Sequence, residues 1–375
     1  MLPISDEARK ALEDNHTPSY RARAFYGADL TVDDVPLDVD GSLSFSGDAT
    51  PSATGSVYVR KQDGRSLVPR TDTDPLAPTG QEISIARVVR VGQTEWEIPM
   101  GRYRIEEVPD MREYFRLFPS MKEVVGWECQ LKLVDRFDII DADDFLVPES
   151  PKPGNSTWAE IQRLSPLPIV RSLPDRSVPP SLAYKSRLEA IEDLMSNIGG
   201  IPHLTREGTL TARKKDAWLT ETVPVFTIDG VIDVGGGMSN KRYNAVSVRS
   251  STGSNDIVSV REINDPSNPL SVTGPLRRRT YKHSSPLIER QAQADAESTT
   301  ILRRVSSKQS RSITFSCLPR PDIEVGDFGK VIDRNARRVF LGEVSDMRFS
   351  MDPNADMTGT MIVSEELSYE AEADQ

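Results

Sequence analysis

Alternating apolar and polar positions along the first 148 residues predict a β-domain. In "GSLSFSG" (41–47), Leu43 and Phe45 alternate with serines, which is the two-residue period of a strand with one buried face. A short helix, Asp6–Asp14, precedes the strands. Turn residues separate the strands at the spacing of an all-β barrel or sandwich. Further strands are predicted at 20–27, 55–61, 81–92, 126–140 and within 95–110, where a proline-containing turn is expected.

The pattern changes to a helical period in the second part, 149–230. This part opens with the proline-rich linker "VPESPKPGNS" (147–156) and is expected to form a peripheral helix–hairpin domain. Thr157 to Glu160 and Ser186 to Glu189 both have the spacing of a capping box and predict the starts of two helices. Gly199-Gly200 ends the second helix, and a hairpin turning at Glu207-Gly208 follows. The apolar stripe of that second helix consists of Leu188, Ile191, Leu194, Met195 and Ile198.

Strand patterns return in the third part, 231–366. We interpret "GGGMSN" (235–240) as a flexible linker and 274–285 as a polar loop. Ser285-Pro286 has the residue types of an N-cap and first helical position, which predicts a long helix to about Lys308. An acidic tail follows at 367–375, and its part from Glu370 to Gln375 is predicted to be disordered. The remaining segments, at 243–251, 312–318, 329–333, 337–351 and 357–367, predict antiparallel strands, with a hairpin tip at 334–337.

The predicted fold class is therefore α+β and rich in β-structure. Two small antiparallel β-barrel-like domains, 1–148 and 231–366, are expected on either side of a helix–hairpin unit. Only 37% of the 375 residues are hydrophobic and 6% are aromatic, which suits several small units better than one large core.

Charge and cysteine content exclude some function classes. The net charge of -11 does not favour binding to a nucleic-acid duplex. The chain has no apolar run long enough for a membrane helix and no apolar signal core near its start, so synthesis in a cytoplasm is expected. Cys129 and Cys317 lie among apolar neighbours, and we interpret them as buried strand residues and not as a disulfide.

A tight turn is predicted in "RPDIEVGDFGKVID" (320–333). Pro321 lacks the N–H that a strand ladder needs and ends the preceding strand. Gly326-Asp327 turns the chain, and a new strand follows. Together with Val344–Phe349 and Thr358–Val363, this order resembles the tail-tip proteins of bacteriophages. More narrowly, it is similar to the minor tail proteins of long-tailed phages of actinobacteria and to the baseplate hub of contractile phages, whose turn the residues Pro321, Ile323, Gly326 and Asp327 match.

The resemblance implies a structural role in the virion and no enzyme activity. Proteins of that kind form a three-fold ring that caps the tail tube, with two β-domains per subunit. The expected partners are a second and third copy of the chain, a distal tail protein, the tape measure protein and tail fibres. Genome DNA is expected only as passing cargo. We name no catalytic, cofactor-binding or metal-binding residue.

Two features keep other hypotheses open, and a third argues against an enzyme. The aspartates between Asp135 and Asp144 could form a calcium loop, although the glycine and final glutamate of an EF-hand are missing; a solvated loop or domain corner is the alternative. The basic stretch 276–283 could contact nucleic acid, although a surface loop or a partner-facing patch is the favoured alternative. The histidines (His16, His203 and His283) are scattered, and no catalytic triad is evident.

The alternative function is that of a β-rich adhesion protein that binds or cleaves a glycan. Such a protein would expose aromatic side chains for stacking on sugars. Trp96 and Trp127 lie in strand patterns, and Trp158 starts a helix, so only Trp218 lies in a segment that could be open. This distribution favours the structural role.

Overall fold

A computed structural model describes the chain in the ranges 1–14, 16–47, 50–62, 65–118, 121–178, 182–214, 223–238, 242–251, 257–285, 287–288, 290–307 and 311–368. Strands are far more numerous than helices in these residues, which confirms the predicted β-rich α+β class. The helices are α1 (Asp6–Glu13), α2 (Phe137–Ala142), α3 (Thr157–Leu164), α4 (Arg187–Asn197) and α5 (Gln291–Ser307).

The strands of the described residues form three sheets. In chain order they are β1 (Thr17–Tyr26), β2 (Asp29–Val32), β3 (Leu37–Ser46), β4 (Ala53–Gln62), β5 (Gln81–Val91), β6 (Thr94–Phe118), β7 (Met121–Asp135), β8 (Gly200–Leu204), β9 (Leu210–Lys214), β10 (Phe226–Ile228), β11 (Val231–Met238), β12 (Ala245–Ser250), β13 (Val258–Glu262), β14 (Thr280–Ser285), β15 (Arg311–Cys317), β16 (Phe328–Asp333), β17 (Arg338–Ser350) and β18 (Met357–Ser368).

The largest sheet joins strands from the first and third parts of the chain. Its main path runs β11-β15-β18-β17-β3-β4-β7-β6-β5-β1-β2, with β16 beside β17 and β10 beside β16. The two parts meet where Ser42–Ser46 pairs antiparallel with Asp346–Ser350. One apolar cluster runs along both parts, from Ala22 in β1 to Val363 in β18. The domain boundaries at 148 and 230 stay a prediction.

The helix–hairpin unit has its own core. Helices α2, α3 and α4 pack with the β8–β9 hairpin around Trp158, Ile161, Ile191 and Leu194, all of which are fully buried. The predicted cap of α4 is confirmed, because the Ser186 hydroxyl accepts from the Glu189 N–H at 3.2 Å.

The predicted cap of α3 is wrong by one residue. Ser156 has the extended backbone of an N-cap, and its hydroxyl accepts from the Ala159 N–H. Thr157 is the first helical residue, and its hydroxyl donates to the Arg176 carbonyl at 3.0 Å. Only Thr157 has a glutamate three residues later, but serine and threonine both serve as N-caps, and the backbone conformation decides between these two adjacent residues.

A small third unit consists of β12, β13, β14 and α5. The interpretation of 274–285 as a loop is wrong, because Thr280–Ser285 pairs parallel with Ala245–Ser250. Ser285 therefore ends a strand, and α5 begins at Gln291; Pro286 lies outside the described residues. Only one face of this strand packs against the helix, through Tyr281. Most of its side chains are therefore polar, and the sequence pattern did not indicate a strand.

Two other sequence interpretations are wrong. β6 continues through Pro99 without a turn, because Pro99 lies opposite Ala86 at a β-bulge, where a missing N–H is tolerated. Gly235–Gly237 is not a linker: these glycines belong to β11 and pair with β15. A Cβ at Gly235 would lie 2.9 Å from the Thr314 hydroxyl oxygen, so this close approach favours glycine. Ser239 and Asn240 lie outside the described residues.

Candidate assembly surfaces

The turn at 320–327 anchors a junction between the large sheet and the helix–hairpin unit. Gly326 has φ +89 and donates its N–H to the Val344 carbonyl at 2.8 Å. Val344 in turn donates to the Asp327 carbonyl at 3.0 Å. The Asp327 carboxylate accepts from the Glu324 N–H at 2.7 Å. The predicted turn is confirmed, and these contacts hold its backbone against β17.

Charged side chains from the hairpin converge on this turn. Arg213 of β9 places Nη2 2.8 Å from Oε2 of Glu324 and also donates to the Val325 carbonyl. His203 of β8 places Nε2 3.6 Å from the other Glu324 oxygen, which is longer than a hydrogen bond. Arg213 therefore makes the direct contact, and His203 lies beside it.

Burial and charge shift the pKa values in opposite ways at this junction. Burial raises the pKa of Glu324, but His203 and the cations of Arg213 and Arg206 outweigh burial and lower the pKa to about 2. For His203, burial lowers the pKa, and Glu324 compensates only in part. At neutral pH the carboxylate is thus charged and the imidazole is neutral.

Arg206 inserts into the large sheet from the hairpin. Its guanidinium lies 4.0 Å from the centre of the Phe45 ring, and Nη1 donates to the Met100 carbonyl at 3.0 Å. Only 7% of the side chain is exposed, and Nε has no hydrogen-bond partner in the described residues. A cation stacked on a buried ring attaches the hairpin firmly to the β3 core.

Two clefts flank this junction. The larger, about 1210 Å³, lies between the N-terminal segment, the hairpin and the small unit. The smaller, about 470 Å³, is lined by Asp135, Glu192 and Asp193. Burial raises the pKa of each of these carboxyls, and for Glu192 and Asp193 neighbouring acidic side chains raise it further. The described residues contain no group of side chains arranged to hold a metal ion.

Three of the five aspartates from Asp135 to Asp144 contact separate segments of the chain. Asp135 accepts from the N–H groups of Ser52 and Ala53 at 2.7 and 2.8 Å. Asp138 pairs with Arg104 at 2.8 Å, and Asp144 accepts from the Arg187 N–H at 3.0 Å. The geometry favours the domain-corner interpretation over a calcium loop.

A long β-hairpin, the β6–β7 arm, extends from the large sheet. β6 pairs with β5 only as far as Arg104, so beyond that residue its outer edge has no strand partner among the described residues. Near the tip Leu117 is 77% exposed and Met121 is 61% exposed. Unpaired edges and exposed apolar side chains are typical of surfaces that bind another protein.

Among the described residues, the main path of the large sheet has two free ends, at β2 and β11. Leu30 in β2 and Ile232 in β11 are both more than half exposed. An open sheet with apolar side chains at both ends offers two different edges for subunit contacts.

The tryptophans of the described residues do not form a sugar-binding surface. Trp127 and Trp158 are buried. Trp96 packs against a small apolar cluster that includes Ala11 and Leu12 of α1. Trp218 lies outside the described residues. None of the described helices has the length and apolar content that a membrane crossing requires.

Known structures share this arrangement of sheets and helices. A tail protein from Neisseria meningitidis is similar over 92% of this chain and 96% of its own length, with a TM-score of 0.56 and 13% identity. This chain has the fold of phage tail proteins. A prophage tail protein from Shewanella oneidensis gives a TM-score of 0.54 at 11% identity, over 92% of this chain and 98% of its own.

A prophage tail protein from Listeria monocytogenes is similar over 95% of this chain and 98% of its own length, with a TM-score of 0.51 and 9% identity. No protein-family model matches the sequence, and no curated protein sequence matches it. The likeness to phage tail proteins inferred from the sequence is thus confirmed for the fold.

Proposed function

We propose that this protein is a structural component of a phage tail tip, a hub that closes the tail tube and anchors distal tail proteins or fibres. The observation that carries the proposal is the extent of the likeness. Each of the three tail proteins is matched over at least 96% of its own length, so the complete architecture is shared and not one common module.

The surfaces of the chain suit an assembly role. The large sheet keeps free edges at β2 and β11, and the β6–β7 arm exposes apolar side chains near its tip. Such features are a liability for a lone soluble protein, and contact with neighbouring subunits covers them. The charged junction at Glu324 keeps the helix–hairpin unit and the large sheet in one orientation.

In this proposal three copies form a ring, and the hexameric tube docks on it. The distal tail protein, the tape measure protein and fibres are its other partners, and genome DNA passes through as cargo. Closing a ring requires each subunit to present two different surfaces, and the two free ends of the large sheet are different surfaces. The place of action is the virion tail.

Native mass tests the ring, and gold labelling tests the location. Light scattering over a dilution series is expected to give a species of three times the 41.7 kDa chain mass. In particles purified from cells that carry the gene, antibody to the chain is expected to label the tail tip. A monomer at every concentration would overturn the self-assembled trimer, and label along the shaft or on no particle would overturn the tail-tip role.

A further inference from the structure

Charge is distributed unevenly along the chain. Residues 244–307, which contain β12, β13, β14 and α5, hold nine Lys and Arg and six Asp and Glu, a net charge of +3. The whole chain carries -11, so the remaining residues carry -14. The small unit is therefore a basic unit attached to an acidic protein.

One face of the small sheet is open and basic. Val246, Val248 and Ser259 are buried on the side that contacts α5. Because side chains alternate along a strand, Arg249 and Lys282 point to the opposite side, where both are exposed. The registers place Val258 opposite Arg249, and Val260 and Lys282 beside Ser247. We call Arg249, Val258, Val260 and Lys282 the basic face.

Apolar side chains lie among these cations. Val260 is 56% exposed and Val258 is 39% exposed. Among the described residues, the one carboxylate on this side of the sheet, Glu262, pairs with Arg278 at 2.7 Å. A partner for this face therefore needs carboxylates and exposed apolar side chains in one strip.

The free end of the large sheet, together with the segment that leads from β2 into the start of β3, has that composition. Residues 26–40, which include β2, contain five aspartates and no lysine, arginine or histidine. Tyr26, Leu30 and Val39 in this segment are all more than half exposed. Asp33 pairs with Arg23 and Asp38 with Arg60, whereas Asp29 and Asp34 are exposed and make no ion pair with a described residue. We call residues 26–40 the acidic edge.

We propose that the acidic edge of one subunit docks on the basic face of the next copy of the chain. This inference rests on the proposed ring, and it names the surfaces that would form one of its contacts. The two surfaces are different patches of the same chain, so the contact is heterologous, and it closes after three steps if each step turns by a third of a circle. The apolar side chains contribute burial, and the charges select the partner and orient it.

Charge reversal on each side tests the contact. The variant Arg249→Glu with Lys282→Glu and the variant Asp29→Lys with Asp34→Lys are each expected to raise the concentration for half-assembly at least tenfold in light scattering. The chain that carries all four changes restores opposite charges across the contact, and it is expected to recover most of the trimer. Raising the salt concentration is expected to weaken the trimer of both the wild type and the quadruple variant.

A matched control reverses two exposed cations elsewhere, Arg65→Glu with Arg348→Glu, and is expected to leave assembly unchanged. All the changed side chains are exposed, so every variant is expected to fold. Urea unfolding checks this expectation. If both double variants still form trimers, this contact is wrong and the ring stays in place. If the quadruple variant also loses the trimer, the proposed pairing of charges is wrong. A monomeric wild type would overturn both the ring and this contact.

Discussion

At the scale of single residues, the junction between β3 and β17 depends on ring and cation packing. Phe45 and Phe349 meet edge to face, with ring centres 5.9 Å apart and planes at 85°. Arg206 lies over the Phe45 ring from the helix–hairpin unit. Three segments that are far apart in the sequence thus share one aromatic contact, and loss of one ring affects all three.

We expect Phe349→Ala to lower the free energy of unfolding by about 3–5 kcal/mol, the usual cost of removing a buried phenylalanine ring. Urea denaturation followed by circular dichroism measures this change. As the control, Leu318→Ala removes a side chain that is 62% exposed and should change the free energy by less than about 0.5 kcal/mol. If both variants matched the wild type, the burial of Phe349 would be wrong.

Glu324 makes stability depend on acid pH. Its pKa in the folded chain is about 2, below the ordinary 4.5, so the charged form stabilises the fold. That stability is fully present above the ordinary pKa and is lost as the pH falls from 4.5 towards 2.

We therefore expect Glu324→Gln to be less stable than the wild type at pH 7, and the difference to shrink below about pH 4.5. Urea midpoints measured at half-unit intervals from pH 2 to 7 give the comparison. Glu7→Gln, at an exposed position in α1, is the control and should follow the wild-type profile. A constant difference between Glu324→Gln and the wild type over this range would show that the Glu324 charge does not stabilise the junction.

At the scale of elements, the β6–β7 arm separates folding from assembly. Near its base Leu131 and Leu133 are buried in the large core, whereas near its tip Leu117 and Met121 are exposed. The same hairpin therefore contributes to the core at one end and offers a contact surface at the other.

For the arm, we expect Leu117→Ser with Met121→Ser to leave the urea midpoint unchanged and to lower incorporation of the chain into purified tails severalfold. Quantitative immunoblotting of tail fractions measures incorporation. Leu131→Ser, which alters the buried base of the same arm, should instead lower the midpoint itself. Normal incorporation of the tip variant would show that the tip contacts no neighbour.

At the scale of the whole molecule, the pairing of β3 with β17 makes the first and third parts depend on each other. β3 has β4 on one side and β17 on the other. If β17 is removed, β3 becomes an unpaired edge, and Phe45 loses its contact with Phe349. An edge strand with a newly exposed apolar face favours aggregation.

The fragment 1–148 alone is thus expected to aggregate or to unfold without a cooperative transition. Size-exclusion chromatography and thermal circular dichroism distinguish these results from a folded monomer. The full chain, made and purified in the same way, is the control and should show a cooperative transition. A soluble fragment with a sharp transition would instead support an independent N-terminal domain.

The sequence alone determined the features that depend on neighbouring residues. The alternation at Leu43 and Phe45, the cap at Ser186 and the turn at Gly326 all follow from local chemistry, and the structure agrees with each of them. The predictions from the sequence were wrong where a distant segment determines the local structure. The bulge at Pro99 depends on β5, and the strand at Thr280–Ser285 depends on β12.

Only the tertiary structure decided which strands are neighbours and which surfaces stay open. An alternating pattern shows that one face of a strand is buried. It does not show which strand lies beside it, because any strand with the same pattern could pair there. The pairing of β3 with β17 spans about 300 residues, and the stacking of Arg206 on Phe45 joins two units. Such contacts depend on long-range packing, so the junction at Glu324 and both surfaces of the proposed subunit contact emerge only when the chain is folded.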